Sequence, residues 1–177
     1  MKSVLLAGSA ARAKHLTNRN TQIALALCLA VLGTAIEARA DCQYVRGGIT
    51  ETRIPSNDPL GRFLSNVTGV LNGASTVFIT SPPPSVTSFD VFVTKSGDML
   101  TATGRPSRTP VPGAPPGEFT THVDLTITGG SGKYEGASGW MTFDGLSHNA
   151  FGGPGVATSD LIYQGSVCGP NLKGDGN

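Results

Sequence analysis

The residues of this chain that could do chemistry are few, and the most suggestive are a histidine and an aspartate two positions apart. His122 and Asp124 lie in a run, 119–128, that alternates apolar and polar side chains. A period of two is typical of a strand with one buried face, so the two side chains share a face. They could form a general-base pair or half of a metal site. Their face is entirely polar, however, and we favour an exposed surface. His148 lies in a glycine-rich loop that nothing in the sequence brings close, so no metal site is predicted.

Asp90 is the second candidate for acid chemistry. It shares its face of the run 88–94 with Phe92. If that face points inward, the apolar surroundings would raise the pKa of the Asp90 carboxyl and suit it to proton transfer. The opposite register, with Asp90 on the surface, is favoured because it buries Phe89, Val91 and Val93. No nucleophile motif accompanies the acid, so the sequence assigns no reaction and no cofactor.

Two arginines are candidates for binding an anionic ligand. Arg105 and Arg108 belong to a 14-residue stretch, 105–118, that contains five prolines. Long loops in compact domains are often functional, and this one could cover one mouth of a barrel. A solvated linker without a ligand is the favoured alternative. A second proline-rich stretch, 81–85, is expected to be stiff and extended.

A glycine-rich segment, 129–139, lies between two strand-like runs and carries Tyr134 at its centre. Glycine at this density indicates positive φ angles or close approaches of neighbouring backbone, as at a tight strand-to-strand corner. A phosphate-binding loop would need glycine at position 127 and Ser or Thr at position 134, and both are missing. We therefore expect Tyr134 to plug the core or contact a ligand. Structural roles are predicted for Gly129, Gly130, Gly132, Gly136 and Gly139.

The same segment resembles one found in dirigent proteins and in bacterial relatives of allene oxide cyclase. The match is G-G-S-G-K-Y-E-G-A-S-G, residues 129–139. The resemblance implies an eight-stranded antiparallel barrel, and relatives that form dimers or trimers leave a homo-oligomer open. It covers eleven residues and carries no ligand-handling motif. The activities of the family are therefore not transferred, because fold does not imply function.

The first 40 residues have the features of a cleaved secretory signal peptide. A basic stretch is followed by an apolar run, 23–33, and by Ala38-Arg39-Ala40. The apolar run is too short to span a membrane, so no stable span is predicted after cleavage. Removing residues 1–40 takes away five of 13 basic and one of 12 acidic residues, which leaves a net charge of −3. A nucleic-acid partner is therefore not expected. We predict a secreted or periplasmic domain, 41–168, with a flexible tail, 169–177.

Two cysteines remain in the mature chain, Cys42 and Cys168, one at each end of the domain. In an oxidising compartment their expected product is a structural disulfide that ties the first strand to the last. The sequon at Asn66 has meaning only in a eukaryotic secretory route. Between the cysteines, eight strand-like runs predict an all-β, closed antiparallel barrel: 43–53, 62–72, 76–80, 88–95, 99–103, 119–128, 139–144 and 159–167.

These observations lead to one leading function and two alternatives. The leading prediction is an exported barrel that binds a small apolar ligand without a strong catalytic apparatus. The first alternative is an isomerase or cyclase that uses an interior acid such as Asp90. The second is a structural or self-associating secreted protein. A cavity would favour the first two, and a barrel filled with side chains would favour the third.

Overall fold

The computed structural model describes residues 41–55, 60–150 and 155–172, which form eight strands. Each strand pairs antiparallel with the next, and the last pairs with the first, so the sheet closes into a barrel. The predicted all-β closed barrel of eight strands is confirmed. The predicted signal peptide lies outside the described residues, as do residues 173–177 of the predicted tail. The strands are β1 (Asp41–Ile54), β2 (Arg62–Val67), β3 (Gly73–Ser81), β4 (Thr87–Thr94), β5 (Met99–Pro110), β6 (Phe119–Ser131), β7 (Ser138–His148) and β8 (Thr158–Gly169).

The boundaries of β5 differ from the sequence prediction. The stretch 105–118 was predicted to be one long loop, but its first six residues continue the strand to Pro110. Pairing with β4 ends at Gly104, whereas pairing with β6 continues until Pro110 lies opposite Phe119. The end of β5 therefore has a partner on one edge only, and such an edge tolerates residues without an N–H. The connection that remains is 111–118.

One part of the barrel interior is packed with apolar and aromatic side chains. Phe143 lies at its centre, with ring centroids 6.1 Å from Phe92 and 6.3 Å from Tyr163. The Tyr163 hydroxyl donates to the Thr68 carbonyl at 2.9 Å and accepts from the Leu71 N–H at 2.8 Å. A buried phenol needs such partners, so these bonds fix how the ring plugs the interior.

The glycine-rich segment forms the predicted corner between β6 and β7. It contains a short 3₁₀ helix, Gly132–Tyr134, and φ is +64° at Gly132 and +69° at Gly136. A Cβ on Gly130 would lie 2.1 Å from the Met99 carbonyl oxygen, so only glycine fits beside β5 there. These constraints let the chain turn while the Tyr134 side chain is fully buried.

The predicted disulfide is present. Cys42 and Cys168 lie directly opposite each other on β1 and β8 and are bonded. The cross-link joins the strands that close the barrel, and it is compatible with an oxidising compartment. Within the described ranges, no helix has the length and apolar character needed to cross a membrane.

Candidate functional site

A second part of the barrel interior is polar. It lies where the odd-numbered strands end and the even-numbered strands begin. On β1 the buried Ile49 is followed at the next inward position by Glu51. On β8 the buried Leu161 is preceded at the next inward position by Ser159. The same change gives β2, β4, β6 and β7 buried polar residues at this end: Ser65, Ser88, Asp90, Thr121 and Ser147. Polar groups in a barrel interior need partners, and they find them in one another.

Glu51 is one of two acids in this polar interior. It is 7% exposed and lies directly opposite Ser65 on β2 and Ser159 on β8. The Ser65 hydroxyl is 3.5 Å from the Glu51 carboxyl. Burial raises the pKa of Glu51 to about 7; the nearby Asp90 charge adds to the rise, and the Arg108 charge opposes it. Glu51 therefore exchanges a proton near neutral pH.

Asp90 is the other acid. The sequence analysis favoured an orientation with Asp90 on the surface, and that prediction is wrong. Its side chain points into the barrel and is 2% exposed, while Phe89 and Val93 lie on the outer surface. The Ser88 hydroxyl donates to the Asp90 carboxylate at 2.6 Å. Gly104 leaves the space for this pair, since a Cβ there would lie 2.2 Å from the Ser88 hydroxyl. Burial raises the pKa of Asp90 to about 7.

A cavity of about 290 Å³ opens above the polar interior at this mouth of the barrel. Most of its wall is apolar, and part of it comes from the proline-rich stretch after β3. Two charged side chains among the described residues line it, Arg53 from the end of β1 and Arg108 from the end of β5. The apolar lining includes Leu60, Phe63, Ile79, Pro82, Val86 and Ala157.

The floor of the cavity is a chain of hydroxyl groups. Ser147 and Ser159 line the cavity and lie 2.9 Å apart, and Ser147 is 2.6 Å from the Thr121 hydroxyl. Ser159 also hydrogen-bonds the Glu51 carboxyl below it. Neither Glu51 nor Asp90 is among the described residues that line the cavity. The acids can therefore influence a bound molecule through Arg108 and the serines, without touching it.

The predicted ligand-binding candidates separate in space. Arg108 lines the cavity, where burial lowers the pKa of its guanidinium and the Glu51 charge opposes that effect. Arg105, three residues earlier on β5, is exposed. Tyr134 is buried within the apolar part of the core and does not line the cavity. The structure thus brings one of these three residues to the cavity.

The predicted pair His122 and Asp124 lies on the outer surface, as the favoured interpretation held. The two His122 ring nitrogens are 2.6 Å from Asp144 and 3.2 Å from Asp124. The hydrogen bond to Asp144 is the main cause that raises the pKa of His122. His148 is bound instead to Glu118, at 2.5 Å. Among the described residues, no group of three side chains could hold a metal ion.

Several residues of this site were not identified from the sequence. Glu51 continues the inward face that begins at Val45 and Ile49, so strand periodicity alone could have placed it inside. Arg53 follows two residues later on the same face but is exposed at the mouth. Ser159 shares the inward face of Leu161 and Ser147 that of Phe143, but serine itself gives no signal for a site. Serine is common on exposed strands and in loops, and only strand pairing brings these two together.

The comparisons with known proteins add nothing to this geometry. No protein-family model, no curated protein and no solved structure matches the chain.

Proposed function

We propose that this protein is an exported barrel that binds a small, largely apolar molecule in the mouth cavity. The cavity itself is the observation that carries the proposal. Its wall is mostly apolar, and Arg53, Arg108 and the serine floor place a few polar groups around it. An apolar pocket with a few convergent polar groups is the usual form of a small-molecule site. Its volume of about 290 Å³ is at the lower end of the range for such sites, so the ligand is small.

We favour ligand binding over the alternative in which an interior acid catalyses a reaction. An acid catalyst must come within hydrogen-bond distance of the reacting atoms, directly or through one water. Asp90 and Glu51 lie below the cavity floor and do not line it. Within the described part of the chain, the isomerase or cyclase alternative therefore has protonatable acids but none that lines the cavity. Kinship with the dirigent and allene oxide cyclase barrels remains a proposal, supported by the glycine-rich corner and by the eight-stranded closure.

The proposal is tested by native mass spectrometry. The full-length chain is expressed in a bacterial host with an oxidising periplasm, and spectra are recorded before and after gentle denaturation. Ala157→Phe should fill the cavity, because Ala157 is a buried lining residue. Val156→Phe is the matched control, because Val156 is 58% exposed. We expect a small molecule at fixed stoichiometry with the wild-type protein and the control, and none with Ala157→Phe.

A neutral probe makes the test independent of which ligand co-purifies. Phenylacetamide should raise the melting temperature of the ligand-free wild-type protein and of the control, because a ligand that binds the folded state stabilises it. It should leave that of Ala157→Phe unchanged. A wild-type barrel that purifies without a ligand and gives no shift with phenylacetamide contradicts the proposed function.

A further inference from the structure

The charges around the cavity suggest more about the ligand than its size. Arg53 and Arg108 both contribute to the wall, and none of the described residues in that wall carries a carboxylate. The hydroxyls of Ser147 and Ser159 lie on the same lining. Guanidinium and hydroxyl groups are hydrogen-bond donors, and together they can bind a carboxylate. The polar part of the cavity is therefore suited to an anionic group.

Arg108 already has a charged neighbour inside the protein. Its guanidinium interacts electrostatically with the Glu51 carboxylate beneath the cavity floor. Arg108 lies on the part of β5 beyond Gly104, where β4 no longer covers it. Arg108 can therefore interact with two negative groups, the Glu51 carboxylate below it and an anion bound in the cavity above it.

The other groups that face Glu51 determine how the interior responds to the arrival of an anion. From β4, Asp90 presents a second acid; from β5, Arg108 presents the positive charge. Arg53 lies two residues further along β1, at the mouth. The other described strands around Glu51 contribute hydroxyl groups: Ser65, Ser75, Thr121, Ser147 and Ser159. Among the residues that the structure describes, this polar interior holds two acids and one guanidinium, whose charges cancel when the two acids share one proton.

We propose that the ligand is a small organic monoanion, a carboxylate with an apolar body, and that it binds together with one proton. This inference rests on the proposed function. The anionic group pairs with Arg108 from the cavity side. The Arg108 charge then no longer offsets the Glu51 carboxylate, so Glu51 takes up a proton from solvent and the negative charge brought by the ligand is offset. No covalent bond forms or breaks.

The coupling predicts how affinity depends on pH. Glu51 has a pKa of about 7, so it already carries its proton below neutral pH and must acquire one above it. Linkage then lowers the affinity for the anion by up to about tenfold for each pH unit above neutrality. A neutral ligand of the same shape takes up no proton, and its affinity stays constant.

The experiment compares two probes of nearly equal size, phenylacetate and phenylacetamide. Isothermal titration calorimetry with the full-length protein measures both between about pH 6 and pH 9. Paired buffers of different ionisation enthalpy count the protons taken up. We expect phenylacetate to bind more tightly near pH 6, to take up close to one proton above pH 8, and to lose affinity as the pH rises. Phenylacetamide should bind without proton uptake.

Three variants test which residues cause the pH dependence of phenylacetate binding. Glu51→Gln keeps the shape of the protonated acid, so it should reduce the proton uptake and bind phenylacetate about tenfold more tightly than the wild-type protein above pH 8. Arg108→Gln should remove the preference for phenylacetate over phenylacetamide. Arg105→Gln is the matched control, because Arg105 is exposed on the same strand, and it should behave as the wild-type protein. If Arg108→Gln does not fold, Arg53→Gln at the mouth is expected to weaken phenylacetate binding selectively.

The two proposals fail in different ways. Equal binding of both probes with no pH dependence overturns the anion-and-proton inference and leaves the binding barrel standing. The same inference is overturned if Glu51→Gln retains the full proton uptake, or if phenylacetate does not bind at any pH. Loss of phenylacetamide binding together with the absence of a co-purified molecule overturns the proposed function itself.

Discussion

Replacing Asp90 with asparagine should make the barrel more stable at alkaline pH. In the folded protein the pKa of Asp90 is raised from an ordinary 3.8 to about 7, chiefly by burial. The folded state therefore holds a proton on Asp90 at pH values where the unfolded chain has released it. Stability must fall as pH rises from about 4 through 7, and the loss is complete above the folded pKa. An asparagine cannot ionise and avoids that loss.

The magnitude follows from the size of the shift. One pKa unit corresponds to 1.36 kcal/mol, so the full effect of Asp90 is about 4 kcal/mol, of which about 3 kcal/mol develops between about pH 5 and pH 8.5. The asparagine adds a buried N–H, and the change in its bond with Ser88 costs about 1 kcal/mol at every pH. We therefore expect Asp90→Asn to be about as stable as wild type near pH 5, where the wild-type protein has already lost a little over 1 kcal/mol. It should be more stable by about 3 kcal/mol near pH 8.5.

Urea unfolding at a series of pH values, with the disulfide intact, gives the free energy of unfolding of both proteins. Glu51 still titrates in the variant, so its curve keeps a smaller slope. Glu135→Gln is the matched control, because Glu135 is exposed beside the 3₁₀ helix, and its curve should follow that of the wild type. Parallel curves for the wild-type protein and Asp90→Asn would refute the reasoning, because they would mean that Asp90 carries its charge inside the barrel without cost.

Three further predictions concern the frame around the site. Gly104→Ala should destabilise the protein by about 1–3 kcal/mol, since the new Cβ would meet side chains at 2.2 and 2.9 Å, measured as a fall in the urea midpoint. Replacing both Cys42 and Cys168 with alanine opens a loop with a sequence separation of 126 and should cost up to about 5 kcal/mol in the same assay. The pKa of His122, followed by NMR, should lie above 6.5 and should fall in Asp144→Asn, which removes the negative charge of its main hydrogen-bond partner.

Each of these three predictions has its own control variant or control measurement. Gly169→Ala places a Cβ no closer than 3.5 Å to other atoms, an ordinary contact, so it should change the midpoint much less than Gly104→Ala. Reduction of the wild-type disulfide should reproduce the loss seen in the double alanine variant. Asp160→Asn leaves both bonds of His122 in place, so an equal change of the His122 pKa in that variant would contradict the assignment to Asp144.

The fold could be predicted from the sequence because its signals are local. Alternation from 119 to 128 requires a strand with two different faces, and the glycines from 129 to 139 permit a corner that other residues cannot form. The positions of the two cysteines suggested which strands close the barrel. The end of β5 was not predicted because its prolines indicated a loop. Proline is tolerated there because that edge of β5 has no strand partner beyond Gly104, which the sequence does not reveal.

The site was harder to predict because it depends on which face of each strand points inward. On β4 the larger apolar face was expected to be buried, yet Phe89 is on the outside, where its ring centroid lies 6.5 Å from that of Phe78. An apolar residue on an outer surface costs little, and much of any protein surface is apolar. Asp90 is inside because Ser88 and the space at Gly104 accommodate it, and those contacts are visible only in three dimensions.

The pairing of β1 with β8 has a consequence for how the protein is made. The strand that is synthesised first must wait for the strand that is synthesised last, because Asp41 pairs with Gly169 and Thr52 with Thr158. Until then one edge of β1 has no partner, and open strand edges are where chains associate with one another. Closure is therefore the last step available to the nascent chain. Before that step the unpaired edge of β1 is open to pairing with another chain.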